Sequence, residues 1–253
     1  MKNPDSHLSK ILSAEDRTEE EVARFVELMR VFLELEPPPD PYGLFSQYAE
    51  HKRVFRQAVD TRNAETLEDA FLTLYCHVHG HEAPYTPDER RLVNETGGYW
   101  CHAGGISPLL KAGPFINRDT VSADFGAGNG LQCLLLQKLY PHEKTIQIEI
   151  SSRMVEAGKY LQQWLNVPDE RVEWIVADVC DVVPRDMDFI YLYRPVRPEG
   201  KGRAFYERFA RALDCEDRRV VIFSIADCLH QFLSSHFEVF YTDGHLTCFG
   251  NGR

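Results

Sequence analysis

Hydrophobic residues recur at two different spacings along the chain, and the change from one to the other falls near residue 110. In the first part the spacing is helical. "SAEDRTEEEVARFVELMRVFLEL" carries Val22, Phe25, Val26, Met29 and Phe32 at intervals of three and four, which places them on one helix face. Acids crowd its first turn, where they complement the helix dipole, and Ser13 and Asp16 have near-capping-box spacing. "PPPDP" stops it, because proline lacks the amide hydrogen that the next turn needs. "LFSQYAEHKRVFRQAV" predicts a second helix. "TLEDAFLTLYCHVH" predicts a third, with Leu67, Ala70, Phe71, Leu74 and Tyr75 on one face, and "TPDERRLV" a short fourth with Pro87 in its first turn.

From about residue 119 the apolar runs become short and strand-like: "TVSADFG", "KTIQIEI", "RVEWIVAD", "DFIYLY" and "RRVVIFSI". Helical patterns lie between them, with Met154, Ala157, Leu161, Trp164 and Leu165 on one face and Phe205, Phe209, Ala212 and Leu213 on another. Strands alternating with helices imply right-handed crossovers and a parallel sheet covered on both faces. The last stretch, "HFEVFYTDGHLTCFG", breaks the alternation, since its two apolar runs meet at Asp243-Gly244, a tight-hairpin signal. The final strand is therefore expected to run antiparallel to its neighbour.

Composition narrows the function classes. With 253 residues, 43% hydrophobic and 26% charged, the chain resembles an ordinary globular protein that buries a sizeable core. A net charge of -11 disfavours nucleic acid or an anionic membrane as partner, because both require a positive field. Seven scattered cysteines do not make a disulfide framework, and neither the start "MKNPDSHLSKIL" nor any later run reads as a signal peptide or membrane span. The expectation is a cytoplasmic protein.

The chemistry centres on "ADFGAGNGLQC", where a strand passes through alternate glycines into a helix. Glycines here let a ligand approach the backbone, which then needs φ > 0 and no Cβ. The dinucleotide spacing Gly-x-Gly-x-x-Gly requires a small third residue, yet the third place falls on Cys133 from Gly128 and on Leu131 from Gly126. A nicotinamide-dependent oxidoreductase is disfavoured on that ground. The order Asp124-x-Gly126-x-Gly128-x-Gly130 instead resembles the first motif of class I S-adenosylmethionine-dependent methyltransferases, over roughly residues 97 to 250.

That resemblance implies an α/β fold: a Rossmann-like, mostly parallel sheet with an antiparallel C-terminal hairpin strand, preceded here by an α-helical N-terminal module. The division is residues 1–110 and 111–253. It implies S-adenosylmethionine as cofactor, with the glycine turn under its methionine and ribose. Glu149 takes the ribose hydroxyls by position, Ile150 packs on adenine, and Asp178 with the Val179 backbone meets the adenine amine. A carboxylate suits the ribose because its two oxygens accept from both hydroxyls of a diol.

The family places acceptor contacts after the fourth strand and before the first. The stretch "YLYRPVRPEGKGRAFYERFARAL" lacks the Asn/Asp-Pro-Pro-aromatic sequence of many amino-group methyltransferases, which lowers nucleic-acid bases and glutamine side chains as acceptors. Arg194 and Arg197 are placed to clamp a carboxylate or phosphate, or else to pair with acids such as Glu199 or lie in solvent. In "NETGGYWCHAGG", glycines flank an aromatic segment that reads either as a lid or as a packed connector. Tyr99, His102 and Tyr193 are the expected proton acceptors or orienting groups.

Cys76, His77, His79 and His81 offer ligands for a metal, but alternate residues at a helix end do not converge on one centre, and no metal is expected. The helical module is expected to shape the acceptor site or to form a homodimer surface. The acceptor reads as a small acidic metabolite, then a protein side chain, then a tRNA nucleotide, with the acidic net charge weighing against the last. The rival reading is a non-catalytic protein that keeps the fold and binds the cofactor for a structural or regulatory purpose.

Overall fold

A computed structural model of the chain describes residues 17–79, 84–100 and 102–252. Helix α1, Glu19–Glu34, is closed at its start by a reciprocal capping box in which the Thr18 side chain accepts from the Glu21 amide and Glu21 accepts from the Thr18 amide. Ser13 and Asp16 lie outside the described residues. Val22, Phe25, Val26, Met29 and Phe32 are all buried, as the spacing predicts.

Helix α2 runs from Tyr48 to Val59 and starts later than the apolar pattern suggests. The Asp40 carboxylate captures the amides of Leu44 and Phe45 at 2.5 and 2.7 Å, which holds that stretch in a turn. Helix α3, Ala64–His79, starts earlier than its apolar face, with Asn63 accepting from the Thr66 amide at 2.9 Å. Helix α4, Pro87–Thr96, has a second capping box between Thr86 and Glu89 and ends on Gly97 in the left-handed region, at φ 76°. A single turn and a half, α5 at Ser107–Lys111, leads into the sheet.

The sheet alternates β1 Val121–Phe125, α6 Leu131–Leu139, β2 Lys144–Glu149, α7 Ser152–Trp164 and β3 Val172–Val176. It continues with β4 Phe189–Tyr193, α8 Gly200–Asp214, β5 Val221–Ile225, β6 Glu238–Thr242 and β7 Leu246–Gly250. The strand order is β3-β2-β1-β4-β5-β7-β6. The pairs among β1 to β5 are parallel, while β7 lies antiparallel between β5 and β6. The hairpin turns on Asp243, whose carboxylate accepts from the His245 and Leu246 amides at 2.9 and 2.7 Å, with Gly244 at φ 86°.

Side chains alternate across this sheet, and the two faces build two cores. On one face Phe189, Tyr191, Phe223 and Ile225 pack with α6, α7 and the helices α1 to α3 in a single cluster. On the other, Ile190, Leu192 and Ile222 pack against Phe205, Tyr206, Phe209 and Leu213 of α8. Trp164 illustrates the continuity of the first core. Its ring meets Phe32 and Tyr48 edge-on at 6.0 Å each, and its indole nitrogen donates to the Glu36 carbonyl at 2.6 Å. No helix among the described residues is long and apolar enough to cross a membrane.

Candidate functional site

The C-terminal ends of β1, β2 and β4 meet the glycine turn, where parallel α/β sheets commonly open a crevice. Gly126, Gly128 and Gly130 all take left-handed φ, at 86°, 57° and 69°. Each has its own reason. A Cβ on Gly126 would stand 2.8 Å from the Pro195 ring, so its absence lets the loop after β4 close on the turn. The Gly128 amide donates to the Glu149 carboxylate at 2.9 Å. At Gly130 a Cβ would meet Trp174 at 2.4 Å, so this glycine serves helix-to-sheet packing and does not face the cavity.

A cavity of about 360 Å³ lies above the turn. Of the residues singled out from sequence, Asp124, Gly126, Gly128, Glu149, Ile150, Asp178 and Val179 line it, as do Tyr99, His102, Tyr193 and Arg194. Arg197 does not. It sits on the exposed rim, with its guanidinium carbon 5.7 Å from the Tyr99 ring centroid. Among the described residues Arg197 makes no ion pair with Glu199.

Glu149 is 4% exposed and accepts backbone hydrogens from Gly128 on one oxygen and from Ser151 on the other, both at 2.9 Å, with the Ile150 amide adding to them. Burial outweighs those bonds and pushes its carboxyl up to about 7. Asp124, 2% exposed, is pushed up to about 8, again chiefly by burial, with the neighbouring Glu149 charge adding to it and the Cys133 thiol opposing. One Asp178 oxygen accepts from the Cys180 amide at 2.9 Å and caps the following turn. The residue also lines the cavity.

Sequence reasoning missed the polar floor. Gln132 of α6, Tyr191 of β4 and His79 of α3 are each 5% exposed or less and line the cavity beside Asp124. The Gln132 side-chain oxygen accepts from the Tyr75 hydroxyl, while its nitrogen, like the Tyr191 hydroxyl, is buried with no hydrogen-bond partner among the described residues. Burial raises the Tyr191 hydroxyl well above its usual range, so it stays a donor. Gln132 was legible in principle as a polar residue near the start of the largely apolar helix "LQCLLLQKL"; Tyr191 inside "FIYLY" was not distinguishable from an ordinary strand aromatic.

His79 belongs to this floor, and burial pushes its imidazole down to about 4. His77 turns away from it, toward Phe45 and His51 with ring centroids at 6.2 and 4.8 Å. Cys76 is exposed, and His81 lies outside the described residues. Among the described residues no three histidine, cysteine or carboxylate side chains are grouped to hold a metal ion.

Helix α4 and the segment that follows it line the cavity and are tied at two points. At one, Glu89 accepts from the hydroxyls of Ser151 and Ser152 and from the Arg153 amide at 2.9, 3.2 and 3.2 Å, docking α4 on the start of α7. At the other, Gly98 bridges Val196, with Tyr99 donating to the Pro195 carbonyl at 3.1 Å and Arg197 donating to the Gly97 carbonyl at 3.0 Å. Between them Tyr85, Val93, Trp100 and Met154 gather around Ile150 as a small apolar cluster. Cys101, within this segment, lies outside the described residues.

No family model matches the sequence, and no curated protein matches it. Some solved structures resemble part of the chain. They include an RNA methyltransferase from Salinibacter ruber in complex with S-adenosyl-L-homocysteine, at 16% identity over 57% of this chain and 87% of that one, with a TM-score of 0.44. An rRNA methylase from Streptococcus thermophilus matches at 13% identity over 54% and 88%, TM-score 0.40. TrmN from Thermus thermophilus matches at 18% identity over 56% of this chain and 46% of that one, TM-score 0.41. The fold class rests on the strand order and on the reversed β7: it is the class I, Rossmann-like methyltransferase fold.

Proposed function

We propose that the chain is an S-adenosylmethionine-dependent methyltransferase whose cofactor lies in this cavity, across the ends of β1, β2 and β3. The observation that carries the reading is Glu149. Its carboxyl lines the cavity with one oxygen held by the Gly128 amide and the other by the Ser151 amide, and two carboxylate oxygens can accept from both hydroxyls of a ribose. The remaining surface fits the rest of such a ligand. The cluster of Ile150 with Tyr85 and Trp100 offers an apolar slot for adenine, with Asp178 and Val179 beside it. The buried donors of Gln132 and Tyr191, next to the Asp124 carboxyl, match the carboxylate and ammonium of an amino-acid end.

When bound, S-adenosylmethionine supplies an activated methyl group on a sulfonium. This chain's residues do the rest: they align the acceptor for in-line displacement and take its proton. Tyr193 at the end of β4, Tyr99 on the segment after α4 and His102 on the exposed rim are the side chains assigned to orient the acceptor or accept that proton. The acceptor is a small acidic metabolite or a protein side chain, in keeping with a net charge of -11 that opposes approach to nucleic acid.

Calorimetric titration with S-adenosylhomocysteine tests the reading. One site per chain is expected, with affinity lowered at least tenfold in Glu149→Ala and no comparable binding of NAD. Tight binding without methyl transfer to any acceptor would support a regulatory protein instead.

A further inference from the structure

Arg194 is the first residue after β4 and holds a left-handed backbone, φ 31°, although it is not glycine. Non-glycine residues in that region are uncommon and collect at functional sites. Its position is over-determined. Pro195 presses on Gly126, while the Gly98–Val196 bridge fixes the loop from the other side. The result brings the Arg194 guanidinium carbon to 4.5 Å from the Tyr99 ring centroid, with Arg197 also over that ring.

Stacking of this kind occupies the face of a guanidinium and leaves its in-plane N–H donors available. At some other arginines such donors are consumed: Arg218 meets Asp186, Asp188 and Glu216, and Arg203 meets Glu207. Among the described residues neither Arg194 nor Arg197 has a carboxylate or other hydrogen-bond partner on its side chain. In a chain with 39 acidic and 28 basic residues, these two guanidiniums lie over one ring beside the cavity with no ion pair among the described residues.

We propose that Arg194, held on the Tyr99 ring and supported by Arg197 at the rim, is an anion subsite that receives a carboxylate or phosphoryl group of the methyl acceptor. The assignment rests on the methyltransferase reading in taking the adjoining space as the transfer site. Its chemistry is a two-pronged, charge-assisted hydrogen bond from the planar guanidinium to two oxygens of the anion. The site thus selects an acceptor with a negative group set apart from the methylated atom, and rejects neutral analogues of the same size by leaving the guanidinium unpaired.

The test is calorimetric titration of the full-length protein, saturated with S-adenosylhomocysteine, with inorganic phosphate and with succinate at constant ionic strength. Saturable 1:1 binding of at least one probe is expected, phosphate alone marking a phosphoryl acceptor and succinate alone a carboxylate. Arg194→Ala is expected to weaken it at least about tenfold, and Arg194→Lys to recover only part, because lysine keeps the charge and loses the fork. Arg194→Gly separates function from strain: glycine accepts the left-handed backbone, so the melting temperature should hold or rise while anion binding is lost. Absence of saturable binding by both probes, or equal affinity in wild type and Arg194→Gly, overturns the subsite. If S-adenosylhomocysteine itself fails to bind, the cofactor reading falls, and the same titrations on the free protein still decide the anion site.

Discussion

Two carboxyls in one low-dielectric cavity set the pH behaviour of the site. Burial raises Glu149 to about 7 and Asp124 to about 8, so both hold protons in the free protein at mildly acidic pH. A protonated Glu149 has lost acceptor capacity toward a diol. Cofactor affinity is therefore expected to fall as pH drops from about 8 to 6, and in Glu149→Gln to be weaker and flatter across that window, as calorimetry at several pH values would show. Stability has the opposite sign. A carboxyl whose folded value lies above its unfolded 4.5 stabilises the protein at low pH, and that contribution is lost as pH rises from there through about 7. The free protein should accordingly melt lower at pH 8 than at pH 6, with a smaller difference in Glu149→Gln. Gly130 gives a sharper test of packing. Ala at φ 69°, with its Cβ against Trp174, is expected to cost about 2–4 kcal/mol in urea unfolding, the sum of left-handed strain and overpacking.

The segment after α4 is held by an element whose local signals have a second use. Thr86, Pro87 and Glu89 form an ordinary helix start, but the same Glu89 that closes the capping box reaches the first residues of α7, next to Glu149. Glu89→Ala removes both. The expected loss is about 1–2 kcal/mol, concentrated in α4 and residues 97–100, with amide exchange there faster by roughly tenfold and the sheet core unchanged. Uniform acceleration across the chain would instead indicate that α4 unfolds only with the whole protein. Cofactor release should quicken in the same variant, since opening this segment uncovers Ile150 and the apolar slot.

At the scale of the molecule, the N-terminal helices cover one face of the sheet. Leu131, Leu134 and Leu135 of α6 lie in the same core as Phe25, Phe32, Phe71 and Tyr75. Asn129 in the glycine turn donates to the Val78 carbonyl at the end of α3, at 2.8 Å, so the helical segment also braces the site directly. A fragment beginning at residue 111 would expose that apolar face. It is expected to lose cooperative thermal unfolding and to bind ANS, whereas an intact, cooperative fragment would mean that the two parts fold separately.

Much of this was legible in the chain. The helical faces of α1 and α3, the five parallel strands and the Asp243-Gly244 hairpin follow from periods of 3.6 and 2 and from turn chemistry, which are local properties. The glycine order of the turn and the acids ending β1 and β2 follow likewise, because a backbone forced to φ > 0 leaves its mark in residue type. The later start of α2 was hidden, since it depends on which amides the Asp40 side chain captures.

What the sequence determined, then, is the set of elements, their order and the loop that opens the site. Only the tertiary structure decided that Gln132, Tyr191 and His79, far apart in the chain and ordinary in type, share the cavity floor with Asp124. It alone decided that Arg194 rests on Tyr99, and that Gly130 packs on Trp174 instead of facing the cavity. Periodicity tells which face of an element is buried, but what that face meets depends on contacts between residues of high sequence separation, and no local pattern encodes those.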